Sequence, residues 1–238
     1  MAAFLQNSWL ALVLTAGIAY LLGSISFAII ITKLFSGKDI RSFGSGNAGA
    51  TNVLRSQGKL PALLTFIGDL VKSMVSVYLG SVLMRSVSMP TLQFAPATEP
   101  ILLAYNPEHL ALIGSYLAGL CCVLGHIYPV FFGFRGGKGV MTILGMTLIL
   151  DWRTAVVGLS VFAIVVLISR MVSLGSIVAG ISLPIATYLL RTYWYQQLWE
   201  TVIFCTAAMA CITAIAIVKH SDNIKRIIAG TESKLGRK

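Results

Sequence analysis

Trp9-Leu-Ala-Leu-Val-Leu-Thr-Ala-Gly-Ile-Ala-Tyr-Leu-Leu-Gly-Ser-Ile-Ser-Phe-Ala-Ile-Ile-Ile-Thr32 carries no charged side chain and stops at Lys33. About 20 apolar residues let a helix cross the hydrocarbon core of a bilayer, so this stretch reads as a membrane span. The rest of the chain has the same character. Of 238 residues, 57% are hydrophobic and 11% charged, against about 25% charged in soluble domains. The mean hydropathy is +0.86. So few charges could not cover a water-soluble globule, and so much apolar content excludes a disordered chain. The charge that remains is lopsided: 18 Lys and Arg against 8 Asp and Glu, a net +10. In a soluble protein that excess would suggest nucleic acid. In a membrane protein it reflects orientation or an anionic substrate, and no nucleic-acid partner is expected.

Six further apolar runs are expected to span: 60–84, with Pro61 suited to a first helical turn, then 110–132, 140–150, 154–169, 174–190 and 199–218. With 9–32 these make an all-α integral membrane protein of seven transmembrane helices, one polytopic domain over 1–238. Several runs are short and must tilt little or sit in a locally thin bilayer. A stretch from Met84 to Pro107, dotted by Pro90, Pro96, Pro100 and Pro107, reads as an outer loop. Met1 to Asn7 leads into the first span without the basic flank and cleavage site of a signal peptide. Seven crossings put the termini on opposite sides. One side then collects fourteen cations: Lys33, Lys38, Arg41, Arg55, Lys59, Arg135, Lys138, Arg170, Lys219, Lys225, Arg226, Lys234, Arg237 and Lys238. The other collects Arg85, Arg153 and Arg191. The positive-inside rule makes the first side cytoplasmic, with the N-terminus outside and the C-terminus inside. Cys121, Cys122, Cys205 and Cys211 lie in apolar runs without metal-site or disulfide-framework spacing, and read as lipid-facing or core packing residues.

Three inner segments carry the chemistry. The first, Arg41 to Arg55, sets Gly44, Gly46 and Gly49 among Ser45, Asn47, Thr51 and Asn52. Glycines let backbone N–H groups converge on an anion ahead of a helix N-terminus, and Arg55 offers a bidentate fork for phosphate. The Gly-Lys-Ser/Thr ending of a Walker A loop is missing. A flexible linker is the plain alternative, but linkers rarely crowd Asn, Thr and Arg among glycines. The second segment, Gly125 to Gly139, places Arg135 and Lys138 around Gly136 and Gly137 after Pro129, which is expected to bend the end of its span. A positive-inside anchor explains the cations but not the glycines. His126 reads as a helix-end hydrogen-bonding residue. In the third segment, His220 to Lys234, a helix would put His220 and Asn223 on one face with Arg226 next; polar residues that merely solvate a tail at a span boundary fit the spacing equally well. Glu232 is expected to order the tail. Asp69 and Lys72, at i, i+3 inside the second span, read as a structural ion pair, because charges at membrane depth are costly unless paired. Ser173 lies in a short inner turn and could reach the site.

These residues resemble a known family. Gly44-Ser-Gly-Asn-x-Gly-Ala-Thr-Asn-x-x-Arg55, His126-x-x-Pro129 with Phe134-Arg-Gly-Gly-Lys-Gly-Val140, and His220-x-x-Asn-Ile-x-Arg226 with Gly230-Thr-Glu232 occur in this order. They look like the three motifs of the bacterial acyl-phosphate:glycerol-3-phosphate acyltransferases, and the likeness runs from Gly23 to Glu232. It implies a multi-pass enzyme of the bacterial cytoplasmic (inner) membrane with its active site facing the cytoplasm. It implies transfer of a fatty acyl group from acyl phosphate to the 1-hydroxyl of glycerol 3-phosphate, giving lysophosphatidic acid and phosphate in phospholipid biosynthesis. The partners it implies are those two substrates and membrane lipids. Residue by residue, Ser45, Arg55 and Thr51 match motif-one positions at the acyl-phosphate or phosphate site. Lys138, with Gly136 and Gly137, matches the motif linked to glycerol 3-phosphate. His220 and Asn223 match an active-site pair, Glu232 a structural position, and Ser173 a weaker one. Gly44, Gly46, Asn47, Asn52 and Arg226 are taken as substrate-binding. Ser26 stands where the family often has Pro, and Ser73 where it has Gly; both bear on helix shape or packing.

The residues themselves say something about mechanism. A mixed anhydride is already activated, so the enzyme's tasks are to hold two anions close and to stabilise an oxyanion. No Ser-His-Asp or Cys-His arrangement is visible, and His109, His126 and His220 lack the His-x4-Asp signature of other glycerolipid acyltransferases. A covalent acyl-enzyme is not expected. The proton acceptor is either His220 or the donor's own phosphate, and motifs rich in phosphate binders favour the second. No metal or cofactor is expected, because side chains supply the cations. The competing class is a transporter of a phosphorylated or anionic solute, whose site would lie near the bilayer midplane. A thioester donor is the competing enzyme reading.

Overall fold

The computed structural model describes residues 2–92 and 107–236. All regular structure among them is helical. Ten α-helices are described: α1 Ala2–Gly23, α2 Phe27–Ser36, α3 Ala50–Gln57, α4 Lys59–Leu92, α5 Pro107–Ile127, α6 Val140–Leu150, α7 Trp152–Ser169, α8 Val172–Leu189, α9 Trp199–Val218 and α10 Ser221–Ile228. Six stretches are long and apolar enough to cross a membrane: Trp9–Ser36, Lys59–Ser86, Pro107–Phe132, Trp152–Ser169, Val172–Trp194 and Trp199–Val218. The apolar helix α6 has 11 residues.

Two of the expected runs differ most from the helices observed. The run 9–32 is two helices, broken at 24–26, where Ser26 caps α2 in extended conformation with φ −89°. The break persists at low cost because a buried cation from α4 takes the carbonyls it frees: Lys72 Nζ donates to Gly23 O at 3.0 Å and to Ile25 O at 2.8 Å. The second span does not stop at Met84. α4 continues to Leu92, 34 residues in all, and Arg85 pairs with Glu108 at the start of α5 at 2.6 Å. The remainder of the expected outer loop, 93–106, lies outside the described residues.

The helices form two compact units, Met1–Leu150 and Asp151–Lys238. In the first, α4 packs along α5, α1 and α6, and α1 along α5. Small residues set these approaches, as in membrane interfaces generally. A methyl group added at Gly80 would overlap the Gly114 carbonyl, and one at Gly114 the Gly80 carbonyl. Cys122 is buried where α5 meets α1. Ser73 is buried too, its hydroxyl donating to Leu70 O at 2.8 Å. α5 ends as Pro129 requires, since the chain before a proline leaves the helical region, and a 3₁₀ turn Val130–Phe132 follows.

In the second unit α7 packs on α8 and α8 on α9. Asp151 caps α7, accepting from the Arg153 N–H at 3.0 Å and the Thr154 hydroxyl at 2.8 Å. α8 passes through Pro184 and ends in a π-helical turn, Leu190–Trp194. The Arg153 guanidinium lies 4.8, 5.3 and 5.6 Å from the ring centres of Trp152, Trp194 and Tyr195. Cation–π contacts of this kind tie the start of α7 to the end of α8.

Candidate active site

Motif one is a loop wound around one amide. Asn52, buried at the start of α3, accepts from the Ser45 N–H at 3.2 Å and donates to Ile40 O, Phe43 O and Asn47 O at 3.3, 3.0 and 3.0 Å. Gly44, at φ +51°, comes so close to the Asn52 side-chain oxygen that a Cβ would collide with it. Asn52 is expected from the sequence to touch substrate; the structure commits its amide to the loop. The convergent N–H groups expected of the glycines are largely spent as well, Gly46 N–H on Phe43 O and Gly49 N–H on Asn47 O. What the loop presents outward is the exposed side chains of Ser45 and Arg55 and the partly exposed Thr51. Thr51 and Arg55 are four apart on α3 and so share a face.

Arg41 joins this loop to motif two. Its guanidinium grips the Asp39 carboxylate at 2.8 Å and donates through Nη1 to Phe132 O at 2.6 Å and Arg135 O at 3.2 Å. Hydrogen bonds from Arg41 hold the Asp39 carboxyl below the usual carboxylate range. Sequence reading counted Arg41 only as an inner-face charge. The Asp39-x-Arg41 spacing was the available signal, since it allows a capping aspartate to pair with the arginine it caps.

Motif two folds back over the end of α5. Gly136 N–H donates to Ile127 O and Gly137 N–H to His126 O, both at 3.1 Å. These glycines, expected to offer their N–H groups to substrate, instead cap α5. A Cβ at Gly136 would strike His126 O; one at Gly137 would strike the His126 ring and Ala48 O. Only bare backbone fits, and it brings motif two against Ala48 of motif one. Tyr20 of α1 donates to Tyr128 O at 2.7 Å and Ser24 Oγ accepts from Val130 N–H at 3.3 Å. Lys138 is half-buried and Arg135 exposed. Asp69 and Lys72 form the expected ion pair at 2.9 Å, and His126 Nδ1 lies 3.0 Å from Lys72 Nζ.

Motif three belongs to the second unit and is built around Glu232. Its Oε1 accepts from Ser173 Oγ and Asn223 Nδ2, and its Oε2 from Arg226 Nε, each at 2.8 Å. Burial pushes the Glu232 carboxyl up, but hydrogen bonds from Asn223, Ser173 and Arg226 outweigh it and hold the group below its usual range. Ser173, Asn223 and Arg226, expected at the substrate, thus meet at Glu232. Leu235 N–H extends the order to Arg170 O at 2.7 Å. His220 is buried at the start of α10 with Nδ1 2.8 Å from Ala216 O. A carbonyl only accepts, so Nδ1 carries a proton and Nε2 is the acceptor nitrogen of the neutral ring.

Long apolar helices, with two loops locked together by Arg41 and by the contact of Gly137 with Ala48, define a multi-pass integral membrane protein with a polar, cationic loop assembly. The family model for glycerol-3-phosphate acyltransferase matches residues 13–230. A glycerol-3-phosphate acyltransferase of Jannaschia sp. (strain CCS1) is 37% identical over 100% of this chain and 99% of its own length. One from Clostridioides difficile (strain 630) is 38% identical over 95% and 96%. Crystal structures of PlsY (YgiH), an integral membrane glycerol 3-phosphate acyltransferase, are similar as well. The glycerol 3-phosphate form has a TM-score of 0.72 and 33% identity, covering 94% of this chain and 96% of that one. The lysophosphatidic acid form has a TM-score of 0.70 and 32% identity, over 94% and 95%. The chain belongs to the glycerol-3-phosphate acyltransferase family.

Proposed function

We propose that this enzyme takes its fatty acyl group from acyl phosphate and delivers it to the 1-hydroxyl of glycerol 3-phosphate. The observation that carries this reading is the joining of motifs one and two, which supports two phosphate-binding elements in one assembly. Ser45, Thr51 and Arg55 are assigned to the donor's phosphate and Lys138 to that of the acceptor. Asn52, Gly44, Gly46, Gly136 and Gly137 give the loops their shape, and Asn47 contributes its carbonyl to the Asn52 hub. The acceptor oxygen attacks the acyl carbonyl carbon, the carbon–oxygen bond to phosphate breaks, and the electron pair leaves on the phosphate oxygen. The hydroxyl proton passes to the departing phosphate, so no acyl-enzyme forms. His220 and Asn223 are kept as active-site residues, and Glu232, which also holds Ser173 and Arg226, orders Asn223.

We assign seven crossings, with the N-terminus outside, the C-terminus inside, and the motifs facing the cytoplasm from the inner membrane. An 11-residue helix rises about 16 Å, roughly half the ~30 Å hydrocarbon core. As a crossing, α6 therefore starts from a glycine loop recessed below the membrane surface. Irregular backbone is tolerated at that depth where its polar groups are satisfied, and Tyr20, Ser24 and Arg41 hydrogen-bond to the backbone of this loop. A transporter is disfavoured, because the polar cluster inside the first unit is occupied by the protein's own backbone.

The test is a donor comparison with purified protein. Acyl phosphate should support product formation, whereas acyl-CoA and acyl carrier protein thioesters should not; activity with a thioester alone would overturn the donor assignment. His220→Gln, which still hydrogen-bonds, should lose about tenfold or less if phosphate takes the proton, against about 10²–10⁴ for loss of a general base.

A further inference from the structure

Three polar side chains in the first unit take no part in the reaction as described. Asp69, Lys72 and His126 are each no more than 5% exposed. Ionised groups at membrane depth are costly unless paired and are commonly functional, so their neighbours indicate their purpose. Lys72 Nζ lies 2.9 Å from Asp69 Oδ1, 3.0 and 2.8 Å from Gly23 O and Ile25 O, and 3.0 Å from His126 Nδ1. Gly23 O, Ile25 O and His126 Nδ1 lie within hydrogen-bond distance of the ammonium, and Asp69 balances its charge. Nδ1 also lies 3.5 Å from Asp69 Oδ1, so this edge of the ring is held by both members of the ion pair. The Nε2 edge is the one that a Cβ at Gly137 would strike, together with Ala48 O. The ring is thus wedged between Lys72 and the seam where motif two meets motif one.

We propose that Lys72, held by Asp69, is a positioning residue for glycerol 3-phosphate. By orienting the His126 ring it sets where the Gly136–Gly137 backbone rests on Ala48, and hence where Lys138 is presented. This rests on the assignment of the motif-two loop to glycerol 3-phosphate made above. It goes beyond an ion pair that merely stabilises the helices, because it couples the α1–α2 break to one substrate and not the other.

The test is steady-state kinetics of the purified full chain, varying glycerol 3-phosphate and acyl phosphate in turn. Lys72→Met and His126→Asn should each raise KM for glycerol 3-phosphate by roughly tenfold or more while KM for acyl phosphate stays within about twofold. The double variant should be no worse than the stronger single one, since both act through the same ring. Both KM values moving together, neither moving, or the two effects multiplying would overturn the proposal. If Lys72→Met does not fold, His126→Asn carries the test, because it leaves the Asp69–Lys72 pair intact. Lys138→Ala separates the two levels. An unchanged KM for glycerol 3-phosphate there overturns the loop assignment and this proposal with it. A raised KM there, with Lys72 and His126 variants unaffected, overturns the positioning role alone.

Discussion

Replacing Glu232 should separate a scaffold role from a chemical one. Its carboxylate, on a side chain 5% exposed, accepts three hydrogen bonds at 2.8 Å. Glu232→Ala removes all three and strands the Ser173 hydroxyl and the Asn223 amide. Hydrogen bonds to a charged partner contribute about 1.5–3 kcal/mol each, and an orphaned buried donor adds its desolvation cost. The Arg226 contact counts for less, roughly 0.5–1 kcal/mol, because that side chain is 41% exposed and water replaces its partner. The two buried bonds and the Arg226 contact together come to about 3.5–7 kcal/mol for alanine. Glu232→Gln keeps an oxygen for Ser173 and Asn223 and loses the charge, so about 1–2 kcal/mol is expected. Thermal unfolding in detergent and acyltransfer rate should therefore fall together, steeply for alanine and mildly for glutamine. Because the folded carboxyl sits below its usual range, its contribution is complete above about pH 4.3 and is lost as pH falls through the depressed value. Glu232→Gln should accordingly flatten the acid limb of the stability profile. Full stability and activity in Glu232→Ala would refute this reasoning. So would a Glu232→Gln that is as inactive as alanine yet fully stable, since that pattern marks carboxylate chemistry.

Two further substitutions probe the first unit. Asn52→Leu should abolish the motif-one hub, lowering stability by about 2–4 kcal/mol and reducing activity beyond the change in folded fraction, as read by unfolding and rate on the same preparation. Arg41→Lys keeps the charge but cannot hold Asp39 and two carbonyls at once; activity should fall by about tenfold or more with helicity unchanged by circular dichroism.

Hydropathy exposed most of the fold because each long span must satisfy its backbone internally, and charged or proline-rich joints mark the ends. Two features lay beyond its reach. The break at 24–26 is written in apolar and serine residues that read as continuous helix, and the cation that makes it tolerable is far along the chain, on α4. The helical extension past Met84 crosses Pro90, which the residue pattern reads as a stop. At the candidate site, the spacing of glycines and cations singles out two loops and a tail that the structure shows to be tightly ordered. It could not say which polar groups face outward. Asn52, Gly136 and Gly137 have the chemistry of ligands and serve the loops themselves, because a tight turn consumes the same N–H and amide groups that an anion would. The pairing of Glu232 with Arg226 is legible in part, since an acid close to a basic residue offers an obvious partner.

The most direct measurement is phosphate released from acyl phosphate by the purified enzyme, with and without glycerol 3-phosphate. Direct transfer within a ternary complex predicts no phosphate burst without acceptor, and phosphate equimolar with lysophosphatidic acid when acceptor is present. A burst stoichiometric with enzyme in the absence of glycerol 3-phosphate would establish an acyl-enzyme and contradict the account.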